Sequence, residues 1–66
     1  MLGDILKDLR KEKNLTQEQI SKMIGVNQNT YSYYENNKVE PDIKTLIKLA
    51  DIFKVSLDYL TGRFDK

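Results

Sequence analysis

The sequence predicts an all-α fold, five short helices packed as one small domain. Three observations carry that expectation. Apolar residues recur at three- and four-residue spacings along most of the 66 residues, and no stretch alternates apolar and polar residues with β-branched enrichment, so no sheet is expected. Glycine occurs three times and proline once, so breaks are few and fall near the ends of periodic segments. Thr16, Asn27, Asp42 and Ser56, all good N-cap residues, stand just ahead of the later segments.

Each element follows in order. Leu2, Leu6 and Leu9 share one face of a first helix ending near Lys13-Asn14, with charged residues between them. Thr16 stands three residues before Gln19, the capping-box spacing, and Leu15 is placed to staple onto Ile20. Ile20, Met23 and Ile24 form the apolar stripe of the second helix, and Gly25 is its left-handed stop. Asn27 caps a third helix whose buried candidates are Tyr31 and Tyr34, and Asn36-Asn37 ends it, since Asn tolerates left-handed backbone. Pro41-Asp42 opens a fourth helix, where Ile43, Leu46, Ile47, Ala50 and Phe53 give the clearest helical periodicity in the chain. Ser56 caps a short fifth helix with Leu57 and Leu60 facing inward, and Thr61-Gly62 closes it.

Composition narrows the chemistry. A chain this short buries only about 60% of its unfolded surface. It has no cysteine or histidine, so disulfides, thiolate or imidazole metal ligation and imidazole acid–base catalysis are not expected. The carboxylates are scattered one per turn, and Glu35, Glu40 and Asp42 do not follow a calcium-loop spacing. Gly25 and Gly62 stand alone and cradle no phosphate. No metal, cofactor, catalytic residue or small-molecule ligand is implied, and the chain is not expected to be an enzyme. The start lacks a basic segment followed by an apolar run, and no stretch approaches the ~20 apolar residues of a membrane span. A cytoplasmic setting is expected, with no membrane partner. Eleven basic and ten acidic residues leave a net charge of +1, which neither announces nor excludes a nucleic-acid partner.

The segment from Thr16 to Lys38, TQEQISKMIGVNQNTYSYYENNK, is the informative one. Two short helices meet through Gly25, and the second sets Gln28, Asn29, Ser32 and Tyr33 side by side, away from Tyr31 and Tyr34. Exposed Gln and Asn at a helix start can bond bidentately to adenine N6 and N7 in the major groove of DNA. The plainer reading is that these amides are ordinary surface residues; the helix-turn-helix frame favours the functional one.

At this point the chain resembles the phage-repressor-like (Xre-type, lambda-repressor-like) helix-turn-helix DNA-binding domains over its full length, residues 1–66, with the motif at about 16–36. The elements that carry the resemblance are Leu9-Arg10, Leu15-Thr16-Gln17, Ile20-Ser21, Ile24-Gly25-Val26, Thr30-Tyr31-Ser32, Tyr34-Glu35-Asn36-Asn37-Lys38, Pro41, Leu46, Leu49-Ala50, Val55-Ser56-Leu57 and Leu60. The resemblance implies a compact five-helix domain that regulates transcription by binding double-stranded DNA, as a repressor and homodimer on a palindromic operator.

It also implies roles residue by residue. Thr16 and Gln17 open the first motif helix, with Gln17 on a phosphate. Gln28, Asn29 and Tyr33 fall on base-reading positions, with Asn27 and Ser32 flanking them. Asn36 and Lys38 approach the backbone beyond. Arg10 and Glu35 match a partly buried structural ion pair. Val55, Leu57, Tyr59, Leu60 and Phe64 are dimer-contact candidates, although Phe64 could equally fold back on its own core. Tyr33 stands where relatives more often carry Gln, Arg or Lys, Asn37 replaces the usual Gly, and Lys54 stands where Gly is frequent. Glu12, Asp51 and Asp58 are expected to face away from the duplex, which reconciles DNA binding with the near-neutral charge. Two alternatives stay open: a DNA-binding fragment of a longer phage-type repressor, and an antitoxin-like module that grips a partner protein.

Overall fold

The helices form where the sequence places caps and periodicity. The computed structural model describes residues 2–62, and among them the elements are α1 (Leu2–Glu12), α2 (Gln17–Ile24), α3 (Gln28–Glu35), α4 (Ile43–Phe53) and α5 (Leu57–Leu60), with no strand. The all-α architecture is the one expected.

The helix ends are closed by side chains. At α2 the capping box is complete: the Gln19 N–H donates to the Thr16 hydroxyl at 3.0 Å and the Thr16 N–H to Gln19 Oε1 at 2.8 Å. Asn27 accepts from the Thr30 N–H at 2.8 Å, Asp42 from Thr45 at 2.9 Å and Ser56 from Tyr59 at 3.0 Å. Each such cap contributes about 1 kcal/mol. Gly25, at φ +78°, turns the chain out of α2, and the Val26 N–H returns to the Ser21 carbonyl at 3.0 Å. Only Asn27 then separates the turn from α3, so the chain passes from α2 to α3 in three residues and the two helices pack together.

The core gathers one stripe from every helix. Leu6 and Leu9 of α1, Ile20 and Ile24 of α2, Tyr31 and Tyr34 of α3, Leu49, Ala50 and Phe53 of α4, and Leu60 of α5 are buried together. Each large side chain there contributes about 1.5–3 kcal/mol. The Tyr31 and Tyr34 rings meet edge to face, with centroids 6.1 Å apart and planes at 82°, the arrangement the ring quadrupoles favour. Leu15 is half-buried against this core, as a staple residue should be.

Three expected core residues point outward instead. Met23 is 52% exposed, Ile43 60% and Ile47 46%. In α4, Leu46, Leu49, Ala50 and Phe53 complete the inward stripe, and Ile43 and Ile47 lie on its flank, where the described helices leave much of them uncovered. A 3.6-residue period admits a wider stripe than five small helices can cover.

Candidate nucleic-acid interface

The amide-bearing face of α3 is built by its opposite face. Tyr31, Tyr34 and Glu35 are buried and hold the helix against α1 and α2. That leaves Gln28, Asn29, Tyr33 and Asn36 exposed and Ser32 half-buried on the other side. These side chains therefore occur together on one outward surface. Asn36 Nδ2 reaches Ser32 Oγ at 3.4 Å, one turn apart along it. Lys38 stands exposed just beyond, in the turn where its N–H closes on the Tyr33 carbonyl at 2.9 Å.

Three residues are less free than their sequence positions suggest. Asn27 commits one lone pair of its side-chain oxygen to the Thr30 N–H, which fixes the amide and leaves its Nδ2 hydrogens free to donate to a ligand. Gln17, half-buried at the start of α2, donates from Nε2 to Glu35 Oε1 at 3.0 Å. Thr16 likewise caps its helix by accepting from the Gln19 N–H, and its hydroxyl hydrogen remains to donate.

Beneath α2 and α3 lies a charged cluster. Arg10 meets Glu35 through two contacts, Nε to Oε2 at 2.6 Å and Nη2 to Oε1 at 3.1 Å, and its Nη1 donates to the Leu15 carbonyl at 2.9 Å. Burial alone would raise the Glu35 carboxyl. The hydrogen bonds from Arg10 and Gln17 outweigh that and hold it below its ordinary value. The bond to Glu35 correspondingly raises Arg10. The Tyr31 hydroxyl is buried without a geometrically formed hydrogen bond among the described residues, and burial, followed by its closeness to the Glu35 carboxylate, pushes its pKa well up.

The other sequence candidates divide. Val55 and Leu57 are half-buried against the core and Tyr59 is exposed. Leu60 is fully buried, so it belongs to the core and offers no surface for a dimer contact. Phe64 lies outside the described residues. Among the described residues no group of three carboxylates, histidines or cysteines is placed to hold a metal, and no helix is long and apolar enough to cross a membrane.

Two features went unforeseen. The Gln17–Glu35 bond joins residues on different helices and leaves no periodic signal. The second is the start of α1. The Gly3 N–H donates to Asn37 Oδ1 at 2.9 Å, and a Cβ on Gly3 would lie 2.2 Å from the Glu35 carbonyl oxygen. A glycine inside a helical turn costs about 1 kcal/mol against alanine, and that is the signal by which so close an approach could have been found.

A tightly turned helix pair with a polar, amide-rich outer face on its second helix is the geometry of a DNA-reading motif. A family model described as helix-turn-helix matches residues 6–60. The chain belongs to the helix-turn-helix family. Relatives of this helix-turn-helix domain include phage repressors. The HTH-type transcriptional regulator YqaE of Bacillus subtilis is 45% identical over 60 residues, covering 91% of this chain and 52% of the relative. The cryptic phage CTXphi transcriptional repressor RstR of Vibrio cholerae is 39% identical over 62 residues, covering 94% of this chain and 56% of its own. The domain thus spans about half the length of these curated relatives. Among solved structures, the phage P22 c2 repressor in complex with a synthetic operator is similar at a TM-score of 0.91 and 28% identity over 97% of each chain. A transcriptional regulator from Listeria innocua is similar at 0.92 and 35% identity, over 100% of this chain and 62% of that one.

Proposed function

We propose that this domain binds double-stranded DNA sequence-specifically and represses transcription, as a homodimer on a palindromic operator. The observation that carries the reading is the division of α3: an inner face locked by Tyr31, Tyr34 and Glu35, and an outer face where, among the described residues, Gln28, Asn29 and Tyr33 are exposed and Ser32 half-buried. The N-terminal half of α3 enters the major groove and α2 lies across the phosphate backbone. Gln28 and Asn29 present amides to base edges. Tyr33, with a ring in place of a longer polar chain, packs on a sugar or a thymine methyl. Gln17, Thr16, Asn36 and Lys38 hold the register through phosphates, with Asn27 and Ser32 assisting.

The similarity to a repressor bound to its operator supports this reading, because it extends over almost the whole of both chains. Two domains related by a twofold axis read half-sites about 34–36 Å apart. Tyr59, with the exposed edges of Val55 and Leu57, is the surface proposed for that contact. With one net positive charge, non-specific affinity is modest, and specificity rests on base contacts and dimerisation.

Selection of bound sites from random duplex DNA, followed by footprinting, tests the proposal. The expected result is an inverted repeat with half-sites one helical turn apart. An asymmetric consensus would remove the symmetric dimer. No enrichment, together with binding unchanged between low and high salt, would remove DNA and favour a protein partner.

A further inference from the structure

Gln17 does not stand at the start of α2 as a loose surface amide. Its Nε2 donates to Glu35 Oε1 at 3.0 Å, and the same carboxylate takes Nε and Nη2 of Arg10 at 2.6 and 3.1 Å. Arg10 also grips the Leu15 carbonyl at 2.9 Å, two residues ahead of Gln17. Backbone and side chain at the entry to α2 are thus held by one buried cluster, whose acceptor belongs to the last residue of α3.

An ionised carboxylate has no hydrogen to give. Glu35 therefore determines which end of the Gln17 amide turns inward: the nitrogen must face it. One Nε2 hydrogen is taken by Glu35, and the other remains available as a donor. A phosphate oxygen is also an acceptor only. An amide flipped the other way would set Oε1 against the phosphate, two acceptors facing each other.

We infer that Glu35 is a positioning residue for DNA binding, setting the orientation of the Gln17 amide so that it donates to a backbone phosphate oxygen. This rests on the DNA-binding reading above. It gives the buried ion pair a second task beside stability. It also joins the phosphate contact on α2 to the base-reading helix α3, so that the two move as one body. Because the amide is ordered before DNA arrives, little side-chain freedom is lost on binding.

The test is a double-mutant cycle on duplex affinity, using an operator selected as above. One arm is Gln17→Met, which keeps length and removes the amide. The other is Arg10→Met with Glu35→Met, which replaces the buried pair by apolar groups of similar volume, a change that tends to leave stability intact. The third variant combines all three substitutions. Thermal melting establishes that each is folded. Gln17→Met is expected to weaken binding roughly three- to tenfold. The paired methionines should weaken it by a similar factor, and the triple variant no further than the pair. The salt slope should stay constant throughout, because the amide carries no charge and the Arg10 charge is not directed at phosphate. Fully multiplicative effects, or a salt slope reduced by loss of Arg10, overturn the inference while leaving DNA binding in place. Failure of the unaltered chain to bind any duplex overturns both. A second measurement needs no variant: side-chain amide relaxation by NMR on the DNA-free protein. Gln17 should be nearly as rigid as the backbone, and an amide as mobile as that of Gln28 overturns the inference.

Discussion

The backbone N–H of Gly3 donates to Asn37 Oδ1 at 2.9 Å, so the first helix is capped by a residue 34 positions later. Asn37 itself is left-handed, at φ +60°, and turns the chain out of the α3 end. One residue thus closes two elements, α1 with its side chain and α3 with its backbone. The contact also brings the start of α1 hard against the α3 C-terminus, which only a residue without a Cβ permits.

Gly3→Ala is therefore expected to destabilise the domain by about 1–3 kcal/mol, since the new methyl would meet the Glu35 carbonyl and α1 must shift. Asn37 separates its two tasks by substitution. Asn37→Gly keeps the left-handed turn and loses the cap, a cost of about 0.5–1 kcal/mol. Asn37→Ala loses both and should cost about 1 kcal/mol more. Urea unfolding of the three variants checks the order, and equal midpoints for the glycine and alanine variants would remove the argument.

Lys54 takes the left-handed position that ends α4, at φ +57° and ψ +45°, where its N–H bonds to the Ala50 carbonyl. A lysine pays steric strain there that glycine would not. Lys54→Gly should raise stability by about 0.5–1 kcal/mol, the relief of strain being partly offset by a more flexible unfolded chain. A rise in the denaturation midpoint with an unchanged slope is the signature expected.

Glu35 predicts how the fold responds to acid. Its carboxyl is held below the ordinary value of 4.5 by Arg10 and Gln17, against the opposing effect of burial. A depressed folded-state pKa contributes stability that is complete above the unfolded pKa and is lost as pH falls through the folded one. Stability should thus decline from about pH 4.5 downward, and Arg10→Met with Glu35→Met should flatten that decline. Glu35→Ala alone should cost about 3–5 kcal/mol near neutral pH, because it strands Arg10 in a partly buried site. Denaturant midpoints measured between pH 7 and pH 3 compare the three proteins.

The Tyr31 hydroxyl is buried and has no hydrogen bond among the described residues, although it lies near the Glu35 carboxylate. An unmade buried bond costs about 1–3 kcal/mol. Tyr31→Phe keeps the ring and its edge-to-face contact with Tyr34 and removes the unpaired group. The variant should be as stable as the parent or up to about 1 kcal/mol more so. A loss above 1 kcal/mol in calorimetric or urea unfolding would mean that the hydroxyl donates to Glu35 in solution.

How much of this was legible in the residues follows from the range of each interaction. The caps at Thr16, Asn27, Asp42 and Ser56 act within three positions along the chain, and the left-handed stop at Gly25 acts within four, so local spacing reveals them. The outer face of α3 was equally legible, because Tyr31 and Tyr34 fix its rotation by their own bulk. The Gly3–Asn37 cap and the Gln17–Glu35 bond join positions 34 and 18 apart. Nothing local encodes them until the helices have packed. The exposure of Ile43 and Ile47 is a related case: periodicity identifies an apolar side, but only the neighbouring helices decide how much of it is covered.

The interface itself separates by substitution. Asn29 stands exposed beside Gln28 at the start of α3, and Lys38 stands exposed beyond its end. On the proposed docking these are different kinds of contact. An amide paired with a base edge discriminates by about 1–3 kcal/mol, and only where that base is present. A lysine on a phosphate acts alike on every sequence and releases counterions. Asn29→Ala should therefore weaken binding to the selected operator while barely changing binding to random duplex, flattening preference at one position in each half-site. Lys38→Ala should weaken both by the same factor and lower the salt slope by about one per protomer. Titration of both variants on operator and random duplex at two salt concentrations gives all four quantities. If the effects were exchanged, with Lys38→Ala altering base preference and Asn29→Ala altering only the salt slope, α3 would lie in the groove in the opposite direction.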